Sequence, residues 1–241
     1  MKQIFISDLH LDPSLNYLRR GFINFLRTEA KTAEHLYVLG DLFEIWLGDD
    51  HITDFNASII SALQNFPGQV FFMHGNRDFL IGDKFCNEAG VTLLADPTLI
   101  ETSAGAAILL HGDSLCTLDE RYMEAREKLR SNDFQREFLA KTLEERAVIA
   151  RQIRGESQSL KRDTASEIMD VTPTEVSRCL REARVSIMIH GHTHRPAVNS
   201  LKIDGKQATR YVLGDWGQTM QYLVIENEEP QLLSYDVGKP E

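Results

Sequence analysis

The chain has 241 residues, of which 42% are hydrophobic, 36 are acidic and 26 are basic, so its formal net charge is −10 at pH 7 with neutral histidines. This length and composition suit a soluble chain with one large domain or two small ones, and the acidic balance argues against non-specific nucleic-acid binding, which needs a basic surface. The three cysteines have no CxxC spacing, which favours reduced packing residues over a zinc knuckle, and no apolar run approaches the roughly 20 residues of a membrane-spanning helix.

The first half of the chain alternates short apolar runs with helix-patterned stretches. The first run, QIFIS, leads to Asp8 and His10, where a signal peptide would continue its apolar stretch, so we expect the chain to stay in the cytoplasm. Apolar residues recur at helical spacing in 15–30 and 54–65, which predicts a β-α-β-α beginning. The later runs follow one another more closely, which indicates either a mixed sheet or two packed sheets.

Six apolar runs end abruptly at a polar residue or a glycine. They read QIFIS before Asp8, LYVL before Gly40, VFFMH before Gly75, AAILL before His111, SIMIH before Gly191 and RYVL before Gly214. Unbroken apolar runs of this length are typical of strands that are buried on both faces. Because ligands gather at the carboxyl ends of the strands in such sheets, we expect the loops that follow these runs to converge on one rim.

Residues 118–168 have a different pattern, which we interpret as a helical insertion between two core strands of a single domain spanning 1–241. The predicted apolar faces consist of Leu118, Tyr122, Ala125 and Leu129, followed after a break at RSNDF by Phe138, Leu139, Leu143, Ile149 and Ile153. A polar loop is predicted at 154–164, and a further helix through EIMDV and EVSRCLREA. Residues 119–162 carry 11 basic and 9 acidic side chains, a local charge of +2. An ordinary helical subdomain with a solvated charged face fits the same pattern.

Seven candidate metal ligands lie just after the predicted strands. They are Asp8, His10, Asp41, Asn76, His111, His192 and His194. Oxygen and nitrogen donors without a thiolate suit Mn, Fe or Zn better than Ca or a structural zinc cage. Seven ligands are too many for one ion but fit two if Asp41 bridges them. Each motif by itself also suits an ordinary turn, but five such motifs, each closing a strand, favour a site.

The ordered set D-x-H, GD, GN, H and GHTH resembles the calcineurin-like metallophosphoesterase superfamily across residues 1–115 and 185–216. The resemblance implies a four-layer αββα fold with a two-metal centre. One ion would be held by Asp8, His10, Asp41 and His194, and the other by Asp41, Asn76, His111 and His192. Two such ions lower the pKa of a shared water, whose hydroxide would attack a phosphorus atom in line. His35, His51, His74 and His190 are interpreted as non-ligands.

Arg77 marks a departure from the superfamily pattern, in which many members carry a histidine after the GN pair. Arginine stays charged and cannot deliver a proton near neutral pH, so the leaving group must depart unprotonated. A phosphate monoester, with a second pKa of about 6, is such a group. We therefore predict cleavage of a diphosphate, with Asp41, Asn76 and Arg77 as the catalytic residues and Arg77 neutralising phosphate charge.

A narrower resemblance covers nearly the whole chain. It rests on FISDLHL, LGDLFEIWLGDD, HGNRDFLIG, LLHGDSLCTLD, EIMDV, IHGHTHRPAV and VLGDW, which are similar to motifs of the UDP-2,3-diacylglucosamine diphosphatases of lipid A biosynthesis. The resemblance implies attack at the α-phosphorus, release of UMP and 2,3-diacylglucosamine 1-phosphate, and two Mn²⁺ ions per chain, with Zn or Fe as alternatives. It also implies that the insertion takes the acyl chains and that the enzyme rests on the cytoplasmic face of the inner membrane.

The resemblance implies a set of substrate contacts as well. They are Asn76, Arg77, Asp119, Tyr122, Arg154, Ser157, Lys161, Thr164 and His192. Thr164 stands where a lysine is usual, so its contact with the phosphates is the least supported of these. We expect a monomer that binds a lipid substrate and no nucleic acid. Two alternatives stay open: another nucleotide or dinucleotide phosphohydrolase of the same superfamily, and a scaffold that has lost catalysis.

Overall fold

The computed structural model describes residues 1–163, 168 and 170–239, excluding the side chains of 156–163. Its strands, numbered in chain order, are β1 (Gln3–Ile6), β2 (His35–Leu39), β3 (Gln69–Met73), β4 (Val91–Leu94), β5 (Thr98–Thr102), β6 (Gly105–Leu109), β7 (Ile187–His190), β8 (Ala197–Ile203), β9 (Lys206–Val212), β10 (Thr219–Glu226) and β11 (Glu229–Asp236). Its α-helices are α1 (Asn16–Arg27), α2 (Asp54–Gln64), α3 (Asp83–Ala89), α4 (Glu120–Arg130), α5 (Asn132–Leu139), α6 (Leu143–Asp163) and α7 (Pro173–Ala183). The six predicted strands and the two predicted early helices are confirmed.

The strands of the described residues form two sheets. The first has the order β11-β10-β1-β2-β3-β4, in which β1 to β4 are parallel to one another, β10 is antiparallel to β1, and β11 is antiparallel to β10. The second has the order β5-β6-β7-β9-β8, in which β6, β7 and β9 are parallel and the two edge strands antiparallel. Two packed sheets, one of the two arrangements expected from the sequence, are therefore present.

The central strands are apolar throughout because both of their faces are covered. In β1, Ile4 and Ile6 belong to the core beneath the helices, whereas Phe5 belongs to the core between the sheets. Phe5 stacks on Tyr37 of β2 with their ring centroids 4.8 Å apart. This double burial is why these strands show no alternation of polar and apolar residues.

Helices cover the outer face of each sheet. The buried side chains of Phe22 in α1, Ile59 in α2 and Phe85 in α3 pack on the first sheet. Val176 and Leu180 of α7 pack on the second sheet. The layers are therefore helix, sheet, sheet and helix, which confirms the four-layer αββα fold that the resemblance implied.

The insertion between β6 and β7 contains α4, α5 and α6. The predicted break is confirmed at Ser131, whose Oγ accepts a hydrogen bond from Phe134 N (3.2 Å) at the start of α5. The predicted polar loop at 154–164 is wrong, because α6 continues to Asp163. Its sequence has no proline and, apart from Gly155, consists mainly of residues that tolerate a helix. Thr164 lies outside the described residues.

Two further predictions in this region are wrong. A helix through EIMDV is not formed at Ile168, Asp170 or Val171, since α7 begins only at Pro173, a residue suited to the first helical position. The apolar face predicted for α4 is not buried: Leu118 precedes the helix and is 58% exposed, and no residue within Glu120–Arg130 is fully buried. In the part of the chain that the structure describes, no helix has the length and apolarity of a membrane span.

The helix α4 is attached instead by a buried carboxylate. Asp113 Oδ2 accepts hydrogen bonds from Tyr122 Oη (3.1 Å), Arg126 Nε (2.8 Å) and Arg130 Nη2 (3.2 Å). These donors are four residues apart along the helix, so they share one face. Arg130 Nη2 also donates to Gly75 O (3.0 Å), which precedes Asn76. The helix α4 is thus fastened by charge to Asp113, which follows β6, and by a hydrogen bond to the loop that follows β3.

Candidate metal centre

Loops from both sheets meet at the carboxyl ends of β1, β2, β3, β6 and β7. Asp8 N donates to Gly40 O (3.1 Å) within the first sheet, and Gly191 N donates to His111 O (2.9 Å) within the second. The two sheets touch at Gly191, where an added Cβ would overlap Ser7 Oγ and Asp8 Oδ2. Glycine is therefore required for the close approach of these two loops, which forms the rim expected from the sequence.

The first group of ligand atoms comes from Asp8, His10 and His194, which all lie within 4.8 Å of one another. His194 Nε2 is 3.4 Å from Asp8 Oδ1 and 3.3 Å from His10 Nε2. Asp41 Oδ2 lies 3.8 Å from His10 Nε2. These four residues are the ones assigned to the first ion by the resemblance, and their donor atoms face a common point.

The second group surrounds Asn76. Its Oδ1 is 3.1 Å from His111 Nε2 and 2.9 Å from His192 Nδ1. Asp41 Oδ1 lies 3.8 Å from His111 Nε2, so the two oxygens of this carboxylate face different groups. The ligand atoms of Asp8, Asp41 and His111 also lie within 4.8 Å of one another. The structure thus brings together all seven predicted ligands.

The chemistry of these donors fits divalent ions. Asp8 is fully buried, Asp41 is almost so, and Asp8 Oδ1 faces Nε2 of His194 (3.4 Å) and Nε2 of His10 (4.0 Å). Burying two carboxylates close together is costly unless positive charge compensates them. Imidazole nitrogens with carboxylate and amide oxygens are ligands that Mn, Fe and Zn accept. The residues present therefore fit the two-ion centre that the resemblance implies.

Five of the seven candidate ligands have left-handed backbone. The φ angles are 57° at Asp8, 48° at His10, 53° at Asp41, 67° at His192 and 55° at His194. Nine non-glycine residues have positive φ within the described residues, so more than half of them belong to this cluster. Each such residue costs about 1–3 kcal/mol, and strain of this kind concentrates at functional sites. Here it aims five side chains at one place.

The carboxylates of the cluster stabilise positive charge on its histidines. Burial lowers the pKa of His111, but the nearby negative charges, that of Asp41 first, outweigh it and raise this pKa to about 9. Burial also opposes protonation of His194, but its hydrogen bonds to Asp215 and Asp8 raise its pKa to about 10. The same electrostatic field that stabilises a protonated imidazole stabilises a bound divalent cation.

Sequence analysis did not identify the oxygen atoms that lie beside Nδ1 of three of these histidines, on the side of the ring away from the ligand cluster. Glu44 Oε2 lies 2.7 Å from His10 Nδ1, and Asp215 Oδ2 lies 3.4 Å from His194 Nδ1. His111 Nδ1 is 2.8 Å from the backbone oxygen of Leu39. The available signal was an acidic residue inside each of the motifs GDLFEIW and LGDW.

Asp78 is a third acidic residue, after Glu44 and Asp215, that sequence analysis missed. Its fully buried carboxylate accepts hydrogen bonds from Leu42 N (2.7 Å), Gly75 N (2.8 Å) and Asp41 N (3.3 Å). Burial and the charge of Asp41 raise the pKa of Asp78 to about 7, against the effect of these hydrogen bonds. Asp78 therefore fastens the loop after β2 to the loop after β3.

The predicted substrate contacts are only partly gathered here. A pocket is lined by His10, Asp41, Glu44, Asn76, Arg77, His192 and His194. Arg154 reaches its edge, with Nη2 3.1 Å from Glu44 Oε1, and the Tyr122 ring lies 5.6 Å from that of His192. Asp119 caps α4 by accepting from Tyr122 N (3.0 Å). The side chains of Ser157 and Lys161 and all of Thr164 lie outside the described residues.

Comparison with known proteins agrees with this geometry. The family model for calcineurin-like phosphoesterases matches residues 1–196. Proteins named UDP-2,3-diacylglucosamine hydrolase are 44% identical over 240 residues in Chromohalobacter salexigens, covering 98% of each chain, and 48% identical over 229 residues in Pseudomonas paraeruginosa, covering 94% of this chain and 95% of the relative. A solved structure titled as a novel archaeal phosphodiesterase aligns with 98% of this chain and 100% of its own at a TM-score of 0.50 and 12% identity, a likeness of fold. The chain belongs to the calcineurin-like phosphoesterase family.

Proposed function

We propose that this chain hydrolyses the diphosphate bond of UDP-2,3-diacylglucosamine at the α-phosphorus, giving UMP and 2,3-diacylglucosamine 1-phosphate in lipid A biosynthesis. The substrate is the one in the names of relatives that match over almost the whole chain. The observation that carries the proposal is the meeting of two carboxylates, one amide and four imidazoles from five loops at one rim.

Two divalent ions, which we take to be Mn²⁺, would be held by these side chains. Asp8, His10, Asp41 and His194 form one set, and Asp41, Asn76, His111 and His192 form the other. The separate orientation of the two Asp41 oxygens supports its role as the shared ligand. When bound, a pair of such ions supplies an activated water and neutralises charge on the phosphoryl oxygens.

Arg77 and Arg154 have the free donors that a diphosphate needs. The Nε atoms of both guanidinium groups are buried and donate to no acceptor among the described residues. Buried donors of this kind are satisfied when phosphate oxygens arrive, and guanidinium groups bind such oxygens through two parallel hydrogen bonds. The backbone N of Arg77 donates to Asp41 Oδ1 (2.8 Å), which holds this side chain beside the metal cluster. Because Arg77 keeps its charge, it stabilises a leaving phosphate without protonating it.

The helical insertion of residues 118–168 would cover the acyl chains. Phe134 and Phe138 stack with their ring centroids 5.8 Å apart; Phe138 belongs to the apolar core, and the partly buried Phe134 packs against it. Leu139 and Val148 present apolar surface to the outside. Apolar surface beside basic side chains suits the boundary of an anionic membrane, so we place the enzyme at the cytoplasmic face of the inner membrane. We take the chain to act there as a single-domain monomer.

The deciding experiment is product analysis with UDP-2,3-diacylglucosamine, with and without Mn²⁺. We expect UMP release that needs the metal and falls by about 10²-fold or more in His10→Ala, as removal of a metal-centre group commonly does. In water enriched in heavy oxygen, the new oxygen is expected in UMP, since attack is at the α-phosphorus. His51→Ala is the matched control, because His51 lies outside the cluster and should keep native turnover.

Three results would contradict the proposal. The first is native turnover by His10→Ala, and the second is heavy oxygen in the lipid phosphate. The third is faster hydrolysis of a soluble dinucleotide polyphosphate than of the lipid, which would favour a general nucleotide phosphohydrolase.

A further inference from the structure

We propose that Glu44 is a positioning residue that holds His10 in its metal-binding orientation and couples this ligand to the helical insertion through Arg154. The inference rests on the proposed metal-dependent function. It concerns a residue that lies outside both proposed ligand sets and touches one of their members.

The contact with His10 defines what Glu44 can do. Glu44 Oε2 lies 2.7 Å from His10 Nδ1, and the glutamate side chain is only 12% exposed. The opposite ring nitrogen, Nε2, faces Asp8 Oδ1 (4.0 Å) and Asp41 Oδ2 (3.8 Å). A carboxylate on Nδ1 keeps the proton there, which leaves the Nε2 lone pair for an ion. It also prevents rotation of the ring away from the cluster.

The backbone holds Glu44 and His10 in a fixed relation. Glu44 N donates to Leu11 O (3.1 Å), and Leu11 N donates to Leu42 O (3.0 Å). Leu11 and Phe43 form a parallel bridge, so the segments that follow Asp8 and Asp41 run side by side. The backbone that carries this carboxylate is therefore part of the rigid rim, unlike the backbone of an independent loop.

The second oxygen of Glu44 reaches the insertion. Arg154 Nη2 on α6 lies 3.1 Å from Glu44 Oε1, although the two residues are 110 positions apart. One carboxylate thus contacts a proposed metal ligand with one oxygen and an insertion residue with the other. A shift of α6 that moves Arg154 would turn the Glu44 carboxylate on its fixed backbone, and through it the ring of His10.

A second ion pair between the same helix and the same loop provides a matched control. Arg146 Nη1 on α6 lies 2.6 Å from Asp50 Oδ1, and the Asp50 side chain is 58% exposed. Among the side chains that the structure describes, Asp50 has no contact with a histidine of the metal cluster. Asp50→Asn therefore weakens the attachment of the insertion while leaving His10 and its carboxylate in place.

The test measures Mn²⁺ binding to the full chain by electron paramagnetic resonance, without substrate. We expect Glu44→Ala to weaken binding about 10–100-fold, the usual effect of removing a carboxylate behind a metal-bound histidine. Glu44→Gln should be intermediate, because its amide oxygen accepts from His10 Nδ1 but carries no charge. Asp50→Asn should bind Mn²⁺ within about 2-fold of the native chain.

The coupling to the insertion is tested with Arg154→Ala in two backgrounds. We expect it to weaken Mn²⁺ binding by more than about 2-fold, and so by more than Asp50→Asn does, when Glu44 is present, and to have no further effect in Glu44→Gln, since interacting residues are non-additive. Equal effects in both backgrounds would overturn the coupling.

Circular dichroism of each metal-free variant separates positioning from folding. If Glu44→Ala does not fold, the nearly isosteric Glu44→Gln decides the question. Native Mn²⁺ affinity in folded Glu44→Ala and Glu44→Gln would overturn the inference while leaving the proposed function intact. So would a loss of Mn²⁺ affinity in Asp50→Asn as large as that in Glu44→Ala. Failure of the native chain to bind Mn²⁺ would instead count against the proposed function.

Discussion

Asp113→Asn tests whether charge fastens the insertion to the metal loops. The substitution keeps the size of the side chain but removes its negative charge and replaces one carboxylate oxygen with a donor. Asp113 is fully buried, whereas Arg126 and Arg130 are 21% and 20% exposed. The variant therefore leaves two guanidinium groups partly buried without their common carboxylate, next to the loop that carries Asn76.

The expected cost follows from these exposures. Removing one partner of a fully buried ion pair costs about 3–5 kcal/mol. Because both arginines keep some contact with water and Arg130 retains Gly75 O, we expect the free energy of unfolding to fall by about 2–3 kcal/mol, discounting for solvent screening. For a chain of this size each kcal/mol lowers Tm by about 2–4 °C, so the decrease is about 4–12 °C.

The pKa of Asp113 adds a pH signature. Burial opposes its ionisation, but the positive charge of His111 and then of Arg130 outweighs burial and holds this pKa well below its ordinary range. The stabilisation is therefore fully present above the pKa of an unfolded aspartate, about 3.9, and is lost as the pH falls below that value. The difference in free energy of unfolding between the native chain and Asp113→Asn should therefore narrow as the pH falls below about 3.9.

Urea denaturation and calorimetry of the metal-free chains measure these effects. Asp133→Asn is the control, because Asp133 pairs with Arg136 on the exposed side of α5 (2.8 Å) and its loss should change the free energy of unfolding by less than about 0.5 kcal/mol. A native Tm for Asp113→Asn, or an equal loss in the control, would refute a charge-based attachment of α4.

Three further predictions concern the metal centre. Gly191→Ala should destabilise the fold by about 1–3 kcal/mol or more and abolish Mn²⁺ binding, because the new methyl group overlaps Ser7 Oγ and Asp8 Oδ2; a folded variant with native affinity would contradict this. Arg77→Ala should lower kcat/KM for the lipid substrate by about 10²–10³-fold with unchanged Mn²⁺ affinity, whereas Arg77→Lys should retain part of the activity. Equal activity of both variants and the native chain would count against neutralisation of phosphate charge by Arg77. Mn²⁺ at about 100 times its dissociation constant should raise the free energy of unfolding by about 2.7 kcal/mol, an effect that a chelator reverses, and an unchanged calorimetric transition would count against a folded-state metal site.

The burial of the central strands on both faces was predictable because hydrophobic patterning acts locally, whereas the four-layer arrangement was implied only by the family resemblance. Runs such as QIFIS and SIMIH are apolar at successive positions, which requires covered faces on both sides of a strand. The position of Asp8 and His192 just after these strands followed from the same runs. The pattern did not decide between one mixed sheet and two packed sheets, since both bury the same residues.

The attachment of α4 was less predictable because its contacts are electrostatic. Leu118 and Ala125 have the spacing of an apolar face, yet α4 is attached through Tyr122, Arg126 and Arg130. The partner of these three donors, Asp113, lies in a different element, and a helical pattern carries no information about that partner. The continuation of α6 through residues 154–163 was missed for a related reason, since charged residues suit a loop and an exposed helix equally.

The sequence by itself determined which side chains follow the strands, and therefore which groups were available at the rim. Only the tertiary structure decided how they are held: left-handed backbone at residues such as Asp8 and His194, the carboxylate of Glu44 behind His10, and Gly191 pressed against the other sheet. The physical reason is one of range. Hydrophobic periodicity reflects burial within a few residues of chain, whereas the orientation of a ligand depends on a hydrogen bond or a close contact with a segment distant in sequence.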